Sequence, residues 1–143
     1  MSAEKLYTPQ MLAAAVSLAE YPPLPNATAH GEARSSTCGS TIAMDVECAD
    51  GTSISAIGMK VSACAVGQAS AAIFARHAAG RSADEIATSR DAIAAWLTGS
   101  GSQPDWPELD LIAPARDYPG RHGAMLLPWN AAIAGLSSTS ASR

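Results

Sequence analysis

The sequence predicts an α+β domain in which a small antiparallel sheet packs against alanine-rich helices. Ile42, Met44, Val46 and Cys48 alternate with Thr41, Asp45 and Glu47, the period of a half-buried strand. Apolar residues make up 48% of the chain, much of it alanine with a single phenylalanine, a mix suited to close-packed helices rather than an aromatic-rich β-sandwich. Helix starts are written locally: Thr8-Pro9 reads as an N-cap and first helical residue, and Ser82-Ala83-Asp84-Glu85 has capping-box spacing.

The first helix carries Met11, Leu12, Ala15, Val16 and Ala19 on its apolar face, and Tyr21-Pro22-Pro23 ends it, because proline cannot continue the hydrogen-bond ladder. A polar stretch follows, whose later part, residues 32–37, is expected to be a first strand. After the alternating strand, Ala49-Asp50-Gly51-Thr52 is a turn of the Asp-Gly kind. A further strand is expected over 53–61, with a bulge near Gly58 where its alternation breaks. Residues 64–79 read as a buried helix ended by Gly80, and the helix opened by Ser82 carries Ile86, Ile93 and Leu97 and stops at Gly99. Residues 106–112 are expected to form a short helix and 114–120 a connector. A last helix is expected over about 123–136, with Pro128 tolerable only near its start, then a disordered Ser/Thr tail over 137–143. Trp96, Trp106 and Trp129 are expected to anchor helix packing.

At 143 residues the chain is one domain by length, with a modest but self-sufficient core over 1–136. Net charge is −4, the isoelectric point is about 5.2, and there are two lysines, which argues against a basic nucleic-acid surface and against an anionic membrane. No apolar run approaches the roughly 18 residues of a membrane span, and the polar Met1-Ser2-Ala3-Glu4-Lys5 lacks a signal-peptide core. A soluble cytoplasmic protein is expected. Three cysteines form no disulfide rhythm, which fits a reducing compartment.

Two cysteines stand in distinctive settings. Cys38-Gly39-Ser40 immediately precedes a strand, and Cys64 opens a helix after Ser62-Ala63. Thiols at the ends of separate elements can converge on one small site, and thiolates are soft ligands and good nucleophiles, so zinc, iron–sulfur or sulfur-transfer chemistry is suggested. Helix N-terminal amides favour a thiolate at Cys64; its bland reading is a small buried residue. Cys48 reads as core filler. His122 reads equally well as a ligand and as an exposed side chain, His77 as a surface or helix-end residue, and His30 carries no argument for a role. Ser40 reads as a turn residue before the strand, and Arg121 as a solvated charge, a pair for a carboxylate or a contact for a binding partner.

The order and spacing of these landmarks resemble the IscU/NifU-type iron–sulfur cluster assembly scaffolds, most closely their SufU-like branch, over about residues 8–136. They are Cys38-Gly39 before the strand pair, Asp50-Gly51 at the hairpin, Cys64-Ala65 continuing through Ala69-Ser70, Gly80-Arg81-Ser82, and the segment from Pro119 to Trp129, which echoes an Arg-x-Lys-Cys-Ala-x-Leu-x-Trp pattern. The resemblance implies a three-stranded antiparallel sheet with helices packed on one side, and a site at the sheet's end where three segments meet. Family members place three cysteines and an aspartate there. This chain departs twice: Ser40 replaces the aspartate, and the third cysteine falls at Ala124, or at Gly123 with a one-residue shift. The lysine before that cysteine is also missing.

The ligands implied here are therefore Cys38 and Cys64, with His122 as a third and Ser40 and Arg121 as supporting residues; no residue is assigned as catalytic. A structural zinc site usually takes four N, S or O ligands, so this set suits a transient carrier better than a permanent metal site. The expected function is an iron–sulfur cluster assembly scaffold or sulfur carrier, holding a transient Fe–S cluster or zinc. Its expected partners are a cysteine desulfurase and cluster-accepting proteins, with a homodimer left open. The alternative is a metal-free protein of the same fold that binds assembly partners. A cysteine-nucleophile enzyme is the third reading, and it lacks a local motif.

Overall fold

The computed structural model describes residues 7–36 and 39–141, the stretch 138–141 by backbone alone. Helix α1, Pro9–Val16, is capped by the Thr8 hydroxyl, which accepts from the Met11 amide at 3.1 Å, and it buries Met11, Ala14 and Ala15. It ends three residues before the expected Ala19. The Ser17 hydroxyl donates to the Ala14 carbonyl at 2.7 Å, and the chain tightens into a 3₁₀ turn, Ser17–Glu20.

Strands β1 (Ala29–Arg34), β2 (Thr41–Glu47) and β3 (Ala56–Ser62) form one antiparallel sheet in the order β1-β2-β3. Ile42, Met44, Val46 and Met59 are buried on the inner face, while His30, Glu32, Arg34, Lys60 and Ser62 are exposed on the outer one. Strand β1 begins earlier than the 32–37 expected, and Thr37 lies outside the described residues. Its inner residues Ala29, Gly31 and Ala33 are too small to give an alternation signal. They are small because α4 (His122–Ala141) lies directly on them: a Cβ at Gly31 would meet the Ala131 carbonyl oxygen at 2.0 Å and the Gly135 nitrogen at 2.4 Å.

The expected bulge at Gly58 is absent, since β2 and β3 pair without interruption from Thr41↔Ser62 to Glu47↔Ala56. Gly58 has a different cause. Residues 22–24 cross the outer face there, and a Cβ would meet the Pro22 carbonyl oxygen at 2.2 Å. An Asp-Gly turn forms as expected, the Gly51 amide donating to the Cys48 carbonyl at 3.0 Å, but it lies within a longer connection, and β3 starts at Ala56 rather than at the expected 53. Asp50 accepts from the amides of Thr52 and Ser53 and from the Ser53 hydroxyl at 2.8–2.9 Å, and these bonds hold its carboxyl below the usual carboxylate range.

Helix α4 and, next to it, α2 (Ala65–His77) lie on the inner face, and α3 (Ala83–Leu97) packs against α4, giving the α+β architecture expected. Small residues let the backbones approach: the buried Ser70 hydroxyl donates to the Met125 carbonyl at 2.5 Å, joining α2 to α4. Ser82 and Glu85 form the full capping box of α3. The expected helix over 106–112 is instead a 3₁₀ segment, Leu109–Asp117, which runs through Pro114 and most of the expected connector and is followed by a 3₁₀ turn, Pro119–Arg121. Glu108 sits in left-handed backbone (φ 67°), so no helix runs through it. Helix α4 contains buried Pro128 as its seventh residue and continues to Ala141, past the expected end at 136. No helix among the described residues is long and apolar enough to cross a membrane.

Candidate functional site

Three segments meet at the end of the sheet where Thr41 pairs with Ser62. The first is the β1–β2 loop. The Ser35 amide donates to the Ser40 carbonyl at 2.8 Å, the Gly39 amide donates to the Ser35 carbonyl at 2.9 Å, and Gly39 is left-handed (φ 73°). Cys38 itself lies outside the described residues. The second segment leaves β3 and enters α2. Cys64 is the N-cap of that helix, in extended backbone and half-buried, and its carbonyl accepts from the Gln68 amide at 2.9 Å. The Gln68 side-chain amide donates back to the Ala63 carbonyl at 2.8 Å, fixing the entry turn.

The third segment is the start of α4. A Cβ at Gly67, on the first turn of α2, would meet the Ala63 Cβ at 2.8 Å and the Ala124 Cβ at 3.5 Å. A Cβ at Gly123 would meet the Ser35 hydroxyl at 2.5 Å. The loop holding Ser35 and the turn that enters α2 therefore both touch the start of α4. Helix α2 is oriented by its buried residues Val66, Ala69, Ser70 and Ile73, which leave its N-cap at the rim.

The missing third cysteine has two alternative positions, Ala124 and Gly123, and neither leaves room for a larger side chain. Ala124 is fully buried, and Gly123 is pressed against Ser35, which is only 3% exposed. Ser35 was not singled out in the sequence; a serine beyond a strand with no visible alternation carries no signal. Ser40, read as a turn residue before the strand, is buried there, 4% exposed. His122, the first residue of α4, is half-buried, and its Nε2 lies 2.6 Å from the Arg116 carbonyl oxygen, so Nε2–H donates there and only Nδ1 keeps a lone pair. The Arg121 guanidinium lies 3.4 Å from the Tyr7 hydroxyl and has no carboxylate partner among the described residues.

Cys48, just past β2, is half-buried against the core, and burial, then Asp50 and Glu47, push its thiol above the ordinary range. His77 donates through Nε2 to the Glu108 carboxylate at 2.8 Å, at the far end of α2. His30 lies in β1 rather than in an irregular segment, with Nδ1 2.6 Å from Asp45.

No group of three or more His, Cys, Asp or Glu side chains among the described residues is arranged to hold a metal ion. With Ser40, Gly123 and Ala124 where the resemblance would put a carboxylate and a thiol, the donor set does not fit a resident four-coordinate zinc. What the rim does offer is a thiol at a helix N-cap, beside the glycine-bearing loop that contains the second thiol of the sequence pattern.

No family model matches the chain, and no curated protein matches it. Solved structures do. An N-terminal NifU-like nitrogen-fixation protein from Brucella abortus is 29% identical, with 98% of each chain covered and a TM-score of 0.87. A proposed iron–sulfur cluster assembly scaffold protein for the SUF system of the thermophile Fervidobacterium islandicum AW-1 is 19% identical, with 94% of this chain and 99% of that chain covered and a TM-score of 0.81. A third protein, without an assigned function, is 20% identical, with 89% and 96% covered and a TM-score of 0.65. The agreement extends over essentially the whole chain, and the fold that the resemblance implied is borne out: this chain has the fold of the NifU-like and SufU proteins.

Proposed function

We propose that the protein is an iron–sulfur cluster assembly scaffold or sulfur carrier working at Cys38 and Cys64. The observation that carries this reading is the position of Cys64: the N-cap of a buried helix, at the sheet end where the Cys38 loop and the start of α4 also meet. In the proposed step, the Cys64 thiolate attacks the terminal sulfur of a desulfurase persulfide. One S–S bond forms on Cys64 as the S–S bond on the donor breaks, and the donor cysteine leaves as a thiolate, with no net change in oxidation state. Cys38 then takes that sulfur by the same exchange, or shares an iron–sulfur fragment as cargo. His122 assists through Nδ1, the nitrogen not committed to Arg116. A cysteine desulfurase, cluster-accepting proteins and a cytoplasmic setting belong to the same proposal.

The test is incubation with a cysteine desulfurase and free cysteine, followed by peptide mass analysis. One additional sulfur on the Cys64 peptide is expected, lost in Cys64→Ser and unable to pass to the Cys38 peptide in that variant. Absence of any persulfide on either peptide, together with no chromophore after adding iron and sulfide, overturns the proposal.

A second reading is favoured by one observation. The third-cysteine position is closed by the Ser35–Gly123 contact and by buried Ala124, as in a fold kept for its surface rather than its ligands. On that reading the purified protein carries neither metal nor persulfide but retains a desulfurase in a pull-down, and Cys38→Ser/Cys64→Ser retains it equally well.

A further inference from the structure

The outer face of the sheet carries an open groove of about 530 Å³, lined by Glu32, Arg34, Thr41, Ala43, Lys60 and Ser62 among others. The strand register sets its shape. Arg34, Thr41 and Ser62 form one row across the three strands, and Glu32, Ala43 and Lys60 form the next. Small side chains on β2 make the floor, and long charged ones on β1 and β3 make the walls. From a strand spacing of about 4.8 Å and a rise of about 3.3 Å, the Arg34 and Lys60 backbones lie roughly 12 Å apart on the diagonal.

These two residues differ from the other described cations. Arg76 is paired with Glu108, Arg81 donates to the His77 carbonyl, Arg90 is held by Asp91 and Asn130, Arg116 donates to the Trp96 carbonyl, and Arg121 reaches Tyr7. Arg34 and Lys60 have no acceptor among the described residues, and both line this groove. In an acidic chain with a net charge of −4, leaving two cations unpaired on one face favours an anionic occupant there and disfavours a general polyanion.

The other half of the same face is already covered by the chain itself. Residues 22–28 cross it, held by Asp45, which accepts from the Leu24 amide at 2.8 Å, and by Glu47, which accepts from the Thr28 amide at 3.1 Å. The face is therefore shaped to take an irregular or extended segment, and its uncovered half presents cations in place of those acidic anchors.

We propose that this groove docks an acidic, extended segment of a partner protein, with two carboxylates a few residues apart meeting Arg34 and Lys60. A separation of roughly 12 Å suits two side chains of one segment better than one small oxyanion. The groove ends where Arg34 leads into the Cys38 loop and Ser62 leads to Cys64, so a segment seated here holds its parent protein against both thiol-bearing segments. The docking step rests on the groove alone; its link to sulfur delivery rests on the function proposed above.

The probe is a fluorescein-labelled octapeptide of alternating glutamate and threonine, followed by anisotropy at low ionic strength and by amide chemical-shift mapping on the whole protein. The expected result is weak, salt-sensitive binding with shifts confined to residues 32–34, 41–43 and 60–62. Arg34→Glu/Lys60→Glu is expected to weaken it by roughly tenfold or more, Glu32→Gln to strengthen it, and Arg90→Gln, on α3, to leave it unchanged. The glutamine–threonine peptide is expected not to bind. Shifts mapping elsewhere, or an unchanged affinity in the double charge reversal, overturn the proposal. Displacement by inorganic phosphate at the same charge concentration also overturns it, in favour of a small-oxyanion site. Because Cys38→Ser/Cys64→Ser leaves the groove intact, peptide binding by that variant separates failure of the groove from failure of the thiol chemistry.

Discussion

The two ends of helix α2 are built on opposite plans. At its start, Gly67 and Ala124 meet as bare small groups, Ser35 fills the space over Gly123, and Cys64 caps the helix without a side-chain hydrogen bond. About 15 Å further along, at 1.5 Å per residue, Phe74 stacks on Trp106 with ring centroids 5.4 Å apart and meets Trp129 edge-on at 5.3 Å, while Trp106 donates to the Ile73 carbonyl at 3.2 Å. Arg81 lies 4.0 Å over the Trp106 ring. Arg76 and His77 close on Glu108, and Arg76 also reaches the Ser17 hydroxyl at 2.9 Å. One end anchors the helix through aromatic area and charge, so the other is free to present a reactive group without having to hold the fold together.

That division is testable. The largest effect is expected at the aromatic end: Trp129→Ala should cost about 3–5 kcal/mol in denaturant unfolding, the range for emptying a buried aromatic site. Trp129→Phe should cost much less, because the indole N–H is buried with no hydrogen-bond partner among the described residues and phenylalanine removes that unmet donor. If the two variants are equally destabilised, the cluster is not the anchor described. At the thiol end, Gly123→Ala is expected to cost about 1–3 kcal/mol through its clash with the Ser35 hydroxyl, and Ser35→Gly in the same chain should recover most of it. A double-mutant cycle showing no coupling would remove the contact that closes the third-cysteine position.

The ion cluster gives a smaller, pH-dependent effect. Hydrogen bonding from His77 and then Arg76 holds the Glu108 carboxyl below the ordinary glutamate range, against a partial offset from burial. A depressed folded pKa means the stabilisation is present above the unfolded-state value and is lost as pH falls through the folded one. Thermal unfolding of the wild type should therefore decline on acidification below about pH 4.5, and Glu108→Gln should lack that part of the decline. The smallest effect is expected at Cys48. Its raised pKa predicts slow alkylation at neutral pH that quickens as pH rises, and Cys48→Ala should change stability by no more than about 1 kcal/mol.

The same contrast separates what the sequence revealed from what it hid. Strand β2, the Asp50 turn, the Thr8 cap and the Ser82–Glu85 capping box were legible because each is specified by neighbours along the chain. Cys64 was legible as a helix start for the same reason. Strand β1 was misplaced because contact with α4 selects for the absence of side chains, and an absence has no periodicity. The bulge expected at Gly58 and the helix expected over 106–112 failed alike: Gly58 answers to residues 22–24 crossing it, and Glu108 to the far end of α2. At the site, the loss of the aspartate and the third cysteine could be read directly. The contact of Ser35 with Gly123 could not, because it depends on residues brought together only by the finished fold.

The backbone contact between Gly31 and Gly135 also has a consequence for synthesis. Edge strand β1 is roofed by α4, which follows it only after β2, β3, α2 and α3, so its inner face stays uncovered until α4 has emerged from the ribosome. Completion of this domain thus waits for α4, and the thiol-bearing rim, which needs the beginning of that same helix, takes shape only then.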